Sequence, residues 1–283
     1  FPPLLTKNFA MHTDKISVRA FFFILTVFFL FCPLSPKGSA TFFGEAKTGL
    51  QNVAEDRYGY SLFVPQEYNP EQKWPLVIAL HDEDERGEDY IQTWIDAAKA
   101  RGMIVFCPTY QVLQGGTPYE HDERLMRLKE TIQSQYEIDS SRILIVGFGT
   151  GGHYAFYLGL RYPKEFSAIA SIGDAVQGSF KKLFSFSYAE VNQLPVLILV
   201  SESGPIEKSG DTMAELELFR KKGYQIEVVE AERAEEIKSP TANSYILEWF
   251  DQVSRERGER LEGRSWNVKQ KFYEWVDQLL QNR

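Results

Sequence analysis

The chain has 283 residues and a formal net charge of −8, from 31 Lys plus Arg against 39 Asp plus Glu, with 43% hydrophobic and 14% aromatic residues. These proportions are too apolar for a disordered chain and fit one large α/β domain or at most two small ones. The acidic balance argues against a general nucleic-acid binder, which needs a basic face to neutralise phosphates. Two cysteines, Cys32 and Cys107, exclude a disulfide scaffold and a Cys-rich zinc site, and four histidines leave little for a histidine-based metal centre.

The amino-terminal segment reads as a targeting sequence. Met11 is the expected initiator, followed by Lys15 and Arg19 and then the apolar run Ala20–Cys32, interrupted only by Thr26. Pro33, Pro36 and Gly38 end the run, and Gly38-Ser39-Ala40 supplies small residues for cleavage after Ala40. This is the layout of a secretory signal peptide, and the run is shorter than the ~20 residues of a spanning helix. The expectation is therefore a secreted or periplasmic protein, with residues 1–40 upstream and a single domain over 41–283. Membrane contact comes only through the segment if it stays uncleaved. Cleavage leaves 27 basic residues against 38 acidic ones, a charge of −11. Cys107 is then unpaired and reads as a buried structural thiol.

In chain order, Tyr58–Val64 alternates and predicts an edge strand. Pro75–Leu80, Met103–Cys107, Ile143–Val146, Ala168–Ile172 and Val196–Val200 are near-continuous apolar runs, as expected of strands buried on both faces. Gln225–Val229 adds one more. Helical patterns fall between them at Tyr90–Arg101, Asp122–Tyr136, from the glycines after Val146 to Tyr162, Met213–Lys222 and Asn243–Arg255. Val268–Leu280 predicts a closing amphipathic helix with Phe272, Trp275, Val276 and Leu279 on one stripe. Alternating strands and helices predict a doubly wound, mostly parallel sheet whose ligands bind at the carboxyl ends of the strands.

Three segments carry a family resemblance. They are Tyr58–His81 followed by Glu85-Arg86-Gly87-Glu88-Asp89; Tyr136–Gly152 running on to Arg161-Tyr162-Pro163 and Phe166–Ile172; and Leu194–Val200 with Glu248-Trp249-Phe250 downstream. In this order they resemble the α/β-hydrolase superfamily, and within it secreted feruloyl esterases, polyhydroxybutyrate depolymerases and related carboxylesterase or peptidase-like families. The resemblance implies a nucleophilic serine on a tight Gly-x-Ser-x-Gly turn between a strand and a helix. Here the turn reads Gly147-Phe148-Gly149-Thr150-Gly151, with Gly149 at the serine's place. The family's acid falls on Gly204 within Ser201–Pro205. Its histidine falls on Glu236 or a neighbour, and no histidine follows His153. The oxyanion loop reads His81-Asp82-Glu83-Asp84, with carboxylates where the family has glycines. Such carboxylates oppose the negative charge that develops in ester hydrolysis.

The resemblance therefore implies a fold of ester hydrolases whose chemistry has degenerated, acting by binding a small ligand, a cation or a protein, with no cofactor. The alternative is an active hydrolase using displaced residues: Thr150 as nucleophile, His153 as base and Asp174 facing the site. Against these roles stand helix capping for Thr150, core packing for His153 and a structural part for His81. Two acidic stretches follow strands, Asp82–Asp89 with −5 and Glu230–Glu236 with −3. With Asp174 and Glu202 they predict a negative cleft for a cationic ligand or a hard metal ion, for which Asp82, Asp84 and Asp174 are the candidate ligands. The competing reading is two solvated loops. Candidate binding residues are thus His81, Asp82, Asp84, Phe148, Thr150, Asp174, Glu202 and Glu236.

Overall fold

The computed structural model describes residues 46–54, 58–111, 121–173, 194–201, 216–217, 219–221, 223–231 and 233–258, without the side chains of 234, 235 and 256–258. The chain divides at Gly44, and every described residue belongs to the unit Glu45–Arg283. The segment read as a targeting sequence, the helix expected over Val268–Leu280, most of Met213–Lys222, and Asp174, Glu202 and Gly204 lie outside the described residues.

Eight strands form one sheet: β1 (Gly49–Val53), β2 (Tyr60–Val64), β3 (Trp74–Leu80), β4 (Ile104–Pro108), β5 (Ile138–Phe148), β6 (Ala168–Ile172), β7 (Val196–Ser201) and β8 (Ile226–Ala231). Their spatial order is β1-β2-β4-β3-β5-β6-β7-β8. β1 and β2 pair antiparallel, as do β2 and β4. All later neighbours are parallel. The apolar runs all form strands, because a strand covered on both faces carries no solvent-facing polar residues. Tyr60–Val64 is not an edge, since β1 pairs outside it. β1 reads GLQNV and alternates half-buried with exposed residues, so it has no apolar run to announce it.

Helices flank the sheet: α1 (Gly87–Tyr90), α2 (Ile95–Arg101), α3 (Asp122–Gln135), α4 (Thr150–Arg161), α5 (Ala234–Ile237) and α6 (Pro240–Gly258). The helix expected over Tyr90–Arg101 is split, with a 3₁₀ turn at Ile91–Thr93 between α1 and α2. Gly102 ends α2 in the left-handed conformation, at φ 61°, which glycine adopts without penalty.

Successive residues of a strand point to opposite faces, so the sheet builds two cores. Leu76, Ile78 and Leu80 join Phe106, Ile145, Tyr154 and Phe156 on one face. Val77 and Ala79 join Trp94, Val105, Val146, Trp249 and Phe250 on the other. α4 is buried from Gly151 to Leu160, which fixes its amino terminus against the end of β5. α6 is tied to the α1–α2 region by Asn243 Nδ2, which donates to the Thr93 carbonyl at 2.9 Å, and by Arg101, paired with Glu248 at 3.0 Å. Cys107 is free and buried, and burial pushes its thiol pKa well up. Among the described residues, no helix is long and apolar enough to cross a membrane.

Candidate functional site

β3 and β5 run side by side, with Leu80 opposite Gly147, so their carboxyl ends bring His81 and the Phe148–Thr150 turn to one edge of the sheet. The turn is tight. A β-carbon on Gly147 would collide with the Gly151 backbone, and one on Gly151 with the Leu80 and His81 carbonyls. Gly149 lies between them at φ 54° and ψ −121°, which a residue with a side chain reaches only under strain. Its N–H donates to Ile172 O at 2.9 Å, and its carbonyl accepts from Gly152 N at 2.9 Å, fastening the turn to β6 and opening α4.

The Asp82 carboxylate sits over this turn. Its Oδ1 accepts the Thr150 backbone N–H at 2.9 Å, the Thr150 hydroxyl at 2.8 Å and the Glu83 backbone N–H at 2.9 Å. In this fold an oxyanion hole consists of the N–H after the nucleophile position and an N–H from the loop after the third strand. Thr150 follows the residue at the serine's place and Glu83 lies in the loop after β3, so by the resemblance their N–H groups correspond to those donors. Both donors lie within the 2.7–3.1 Å expected between such donors and a developing oxyanion. One carboxylate oxygen of the chain itself therefore takes both N–H groups. A β-carbon on Gly149 would meet Asp82 Cγ, Oδ1 and Oδ2, each at 2.6 Å, so the same carboxylate also covers the serine's place. The amino-terminal end of α4 further favours a negative group there.

His81 is fully buried and serves the loop. Its Nδ1 meets the Asp82 carbonyl at 2.5 Å, and its Nε2 accepts the Tyr110 N–H at 3.3 Å. The two contacts together require the neutral tautomer with the proton on Nδ1. Burial, the largest influence, lowers its pKa in agreement, although the Asp82 carbonyl pulls the other way. Tyr110 stacks on the ring at 4.2 Å between centroids and donates its hydroxyl to the His81 carbonyl at 2.5 Å.

Of the displaced-nucleophile set, Thr150 commits its only hydroxyl proton to Asp82. His153 is buried on α4, as core packing requires, and Asp174 lies outside the described residues. Asp84 is exposed. Glu236 accepts from Arg233 Nε at 2.9 Å within its own loop. The residue that reaches across from this loop is Lys238. Its ammonium pairs with Glu85 Oε1 at 2.6 Å and lies 4.5 Å from the centre of the Phe148 ring. This ion pair ties the Asp82–Asp89 loop to the segment just after Glu230–Glu236, through a lysine that sequence reasoning passed over. Its signal was its position, eleven residues before Trp249, close to where the family's histidine falls. Among the described residues, no group of three His, Cys, Asp or Glu side chains is arranged to hold a metal ion.

Sheet order, helical layers and a glycine-flanked turn before a buried helix define an α/β-hydrolase fold. The family model described as "Putative esterase" matches residues 52–282, and the chain belongs to that family. Solved structures agree in fold. S-formylglutathione hydrolase from Staphylococcus aureus superimposes with a TM-score of 0.56 at 14% identity, over 73% of this chain and 99% of that one. A ferulic acid esterase gives 0.55 at 16%, over 74% and 98%. A thermostable esterase gives 0.53 at 20% over 73% of this chain, which spans only 61% of that enzyme's length. No curated protein sequence matches the chain.

Proposed function

We propose that this chain is a secreted member of the esterase family that does not hydrolyse esters and acts by binding. The observation that carries the reading is the Asp82 carboxylate on the two oxyanion donors, above a turn residue, Gly149, that has no side chain. An ester carbonyl entering the site would find the donors taken by a negative group. Even with Asp82 displaced, it would meet no side chain, and so no nucleophile, at Gly149. The missing histidine after His153 supports the same reading.

Pure protein is expected to remain unlabelled by fluorophosphonate probes and to leave short-chain aryl esters at the background rate. Turnover that resists serine-directed inhibitors and is lost in both Thr150→Ala and His153→Ala would overturn the proposal in favour of the displaced nucleophile. The Thr150 hydroxyl bonded to a carboxylate at 2.8 Å is the feature that favours this second reading. Its weakness is that the same oxygen already accepts two backbone N–H groups, so it is engaged before any hydroxyl proton could move to it. Secretion rests on the Ala20–Cys32 segment; a secreted product whose amino terminus is Thr41 would support it.

A further inference from the structure

We propose that the Glu85 carboxylate and the Phe148 ring form a recognition site for an alkylammonium group, with Lys238 as its resident occupant. The proposal gives a ligand class to the binding reading above and rests on that reading for its purpose. A carboxylate beside an aromatic face is the pair of surfaces that an ammonium ion seeks, one by charge and one by the ring's negative face. Lys238 meets both, at 2.6 Å from Glu85 Oε1 and 4.5 Å from the Phe148 centroid. Phe148 belongs to the turn itself, and Glu85 to the loop that carries Asp82, so this ammonium lies at the mouth of the site.

The fit of Lys238 is incomplete. Glu85 Oε2 is buried and has no hydrogen-bond partner among the described residues, although an ionised carboxylate takes several donors. An ammonium has three N–H donors, yet among the described residues Lys238 meets one carboxylate oxygen, and its side chain remains 42% exposed. A ligand ammonium on a separate stem can approach both carboxylate oxygens, which the tethered lysine does not. The charge of −5 over Asp82–Asp89 favours a cation over an anion at this mouth. The hole beside it already holds the chain's own carboxylate.

The test uses n-butylammonium chloride as the probe and n-butanol as its neutral counterpart, read by calorimetry and by the Phe148 ring resonances. Lys238→Ala and Lys238→Ser vacate the site at a largely exposed position, so both variants are expected to fold. Both should bind butylammonium at least tenfold more tightly than the wild type does. Adding Glu85→Gln to Lys238→Ala should weaken binding at least tenfold, and butanol should not saturate. Absence of a saturable Phe148 shift in both Lys238 variants would overturn the proposal. So would equal affinity in wild type and variants, affinity that survives Glu85→Gln, or butanol binding as well as the ammonium. Ester turnover is not a readout here, so an active enzyme would overturn the non-hydrolytic reading and leave the ammonium site standing.

Discussion

The Asp82 carboxylate lies 2.6 Å from the point where a β-carbon on Gly149 would stand, and it is held there by Thr150 and Glu83. The two positions thus exclude each other: a side chain at 149 and the carboxylate of 82 compete for one volume. A family that places serine on this turn needs small residues in the facing loop, and a chain with Asp82 in that loop needs glycine on the turn.

This relation predicts strong coupling between the two sites. Gly149→Ser must adopt a positive φ and displace Asp82 from its three donors. Backbone strain of this kind costs roughly 1–3 kcal/mol before the lost hydrogen bonds are counted. In an Asp82→Gly background the same serine meets no carboxylate. The expected outcome is a smaller destabilisation there, with a coupling on the order of 0.5–3 kcal/mol in a denaturant-unfolding double-mutant cycle. Additive effects would mean that the carboxylate and the side chain do not compete.

Asp82 by itself holds the loop after β3 to the start of α4. Asp82→Ala strips the acceptor from the part-buried Thr150 N–H and hydroxyl and should cost about 1–3 kcal/mol, while the exposed Glu83 N–H turns to water. Asp82→Asn keeps an amide oxygen for the same donors and should cost less, because neutral bonds are roughly half as strong as charge-assisted ones. Hydrogen exchange at the Thr150 amide checks the assignment: it should quicken in the alanine variant more than in the asparagine variant.

A different carboxylate governs the acid side of the stability profile. Asp122 is buried and accepts hydroxyls from Tyr154 at 2.8 Å and Tyr157 at 2.9 Å. Burial raises its pKa above 3.8, outweighing the tyrosine bonds, which lower it. A native pKa above the unfolded one means that the native state binds the proton more tightly. The resulting stabilisation is full below about pH 3.8 and is lost as pH rises through the raised native value. Asp122→Asn should abolish this component, flattening stability between those two values. An unchanged pH profile in the variant would show that Asp122 titrates normally.

Much of the fold was legible because burial on both faces imposes unbroken apolar runs, and each such run, from Pro75–Leu80 to Val196–Val200, became a strand of the sheet. The Gly147-Phe148-Gly149-Thr150-Gly151 turn was legible for a related reason: backbone packed against backbone leaves no room for β-carbons, and this shows as glycine in any sequence. The polar strand β1 was not legible, because its pairing depends on an edge supplied by β2 and not on a pattern of its own. The split of the Tyr90–Arg101 helix was also invisible, since its residues suit either helical form.

The sequence by itself determined which residue types stand at the carboxyl edge of the sheet: a glycine on the turn, carboxylates in the loop after β3, and no histidine after His153. It did not determine which carboxylate turns inward. Asp82 bonds to the Thr150 end of the turn while Asp84, two residues on, faces solvent, and Lys238 crosses to Glu85 while Glu236 stays with Arg233. Side-chain directions in a loop follow from backbone angles set by distant partners, here the His81–Tyr110 stack and the amino terminus of α4. Only the assembled sheet brings those partners within hydrogen-bond range, and so only the tertiary structure decided what fills the site.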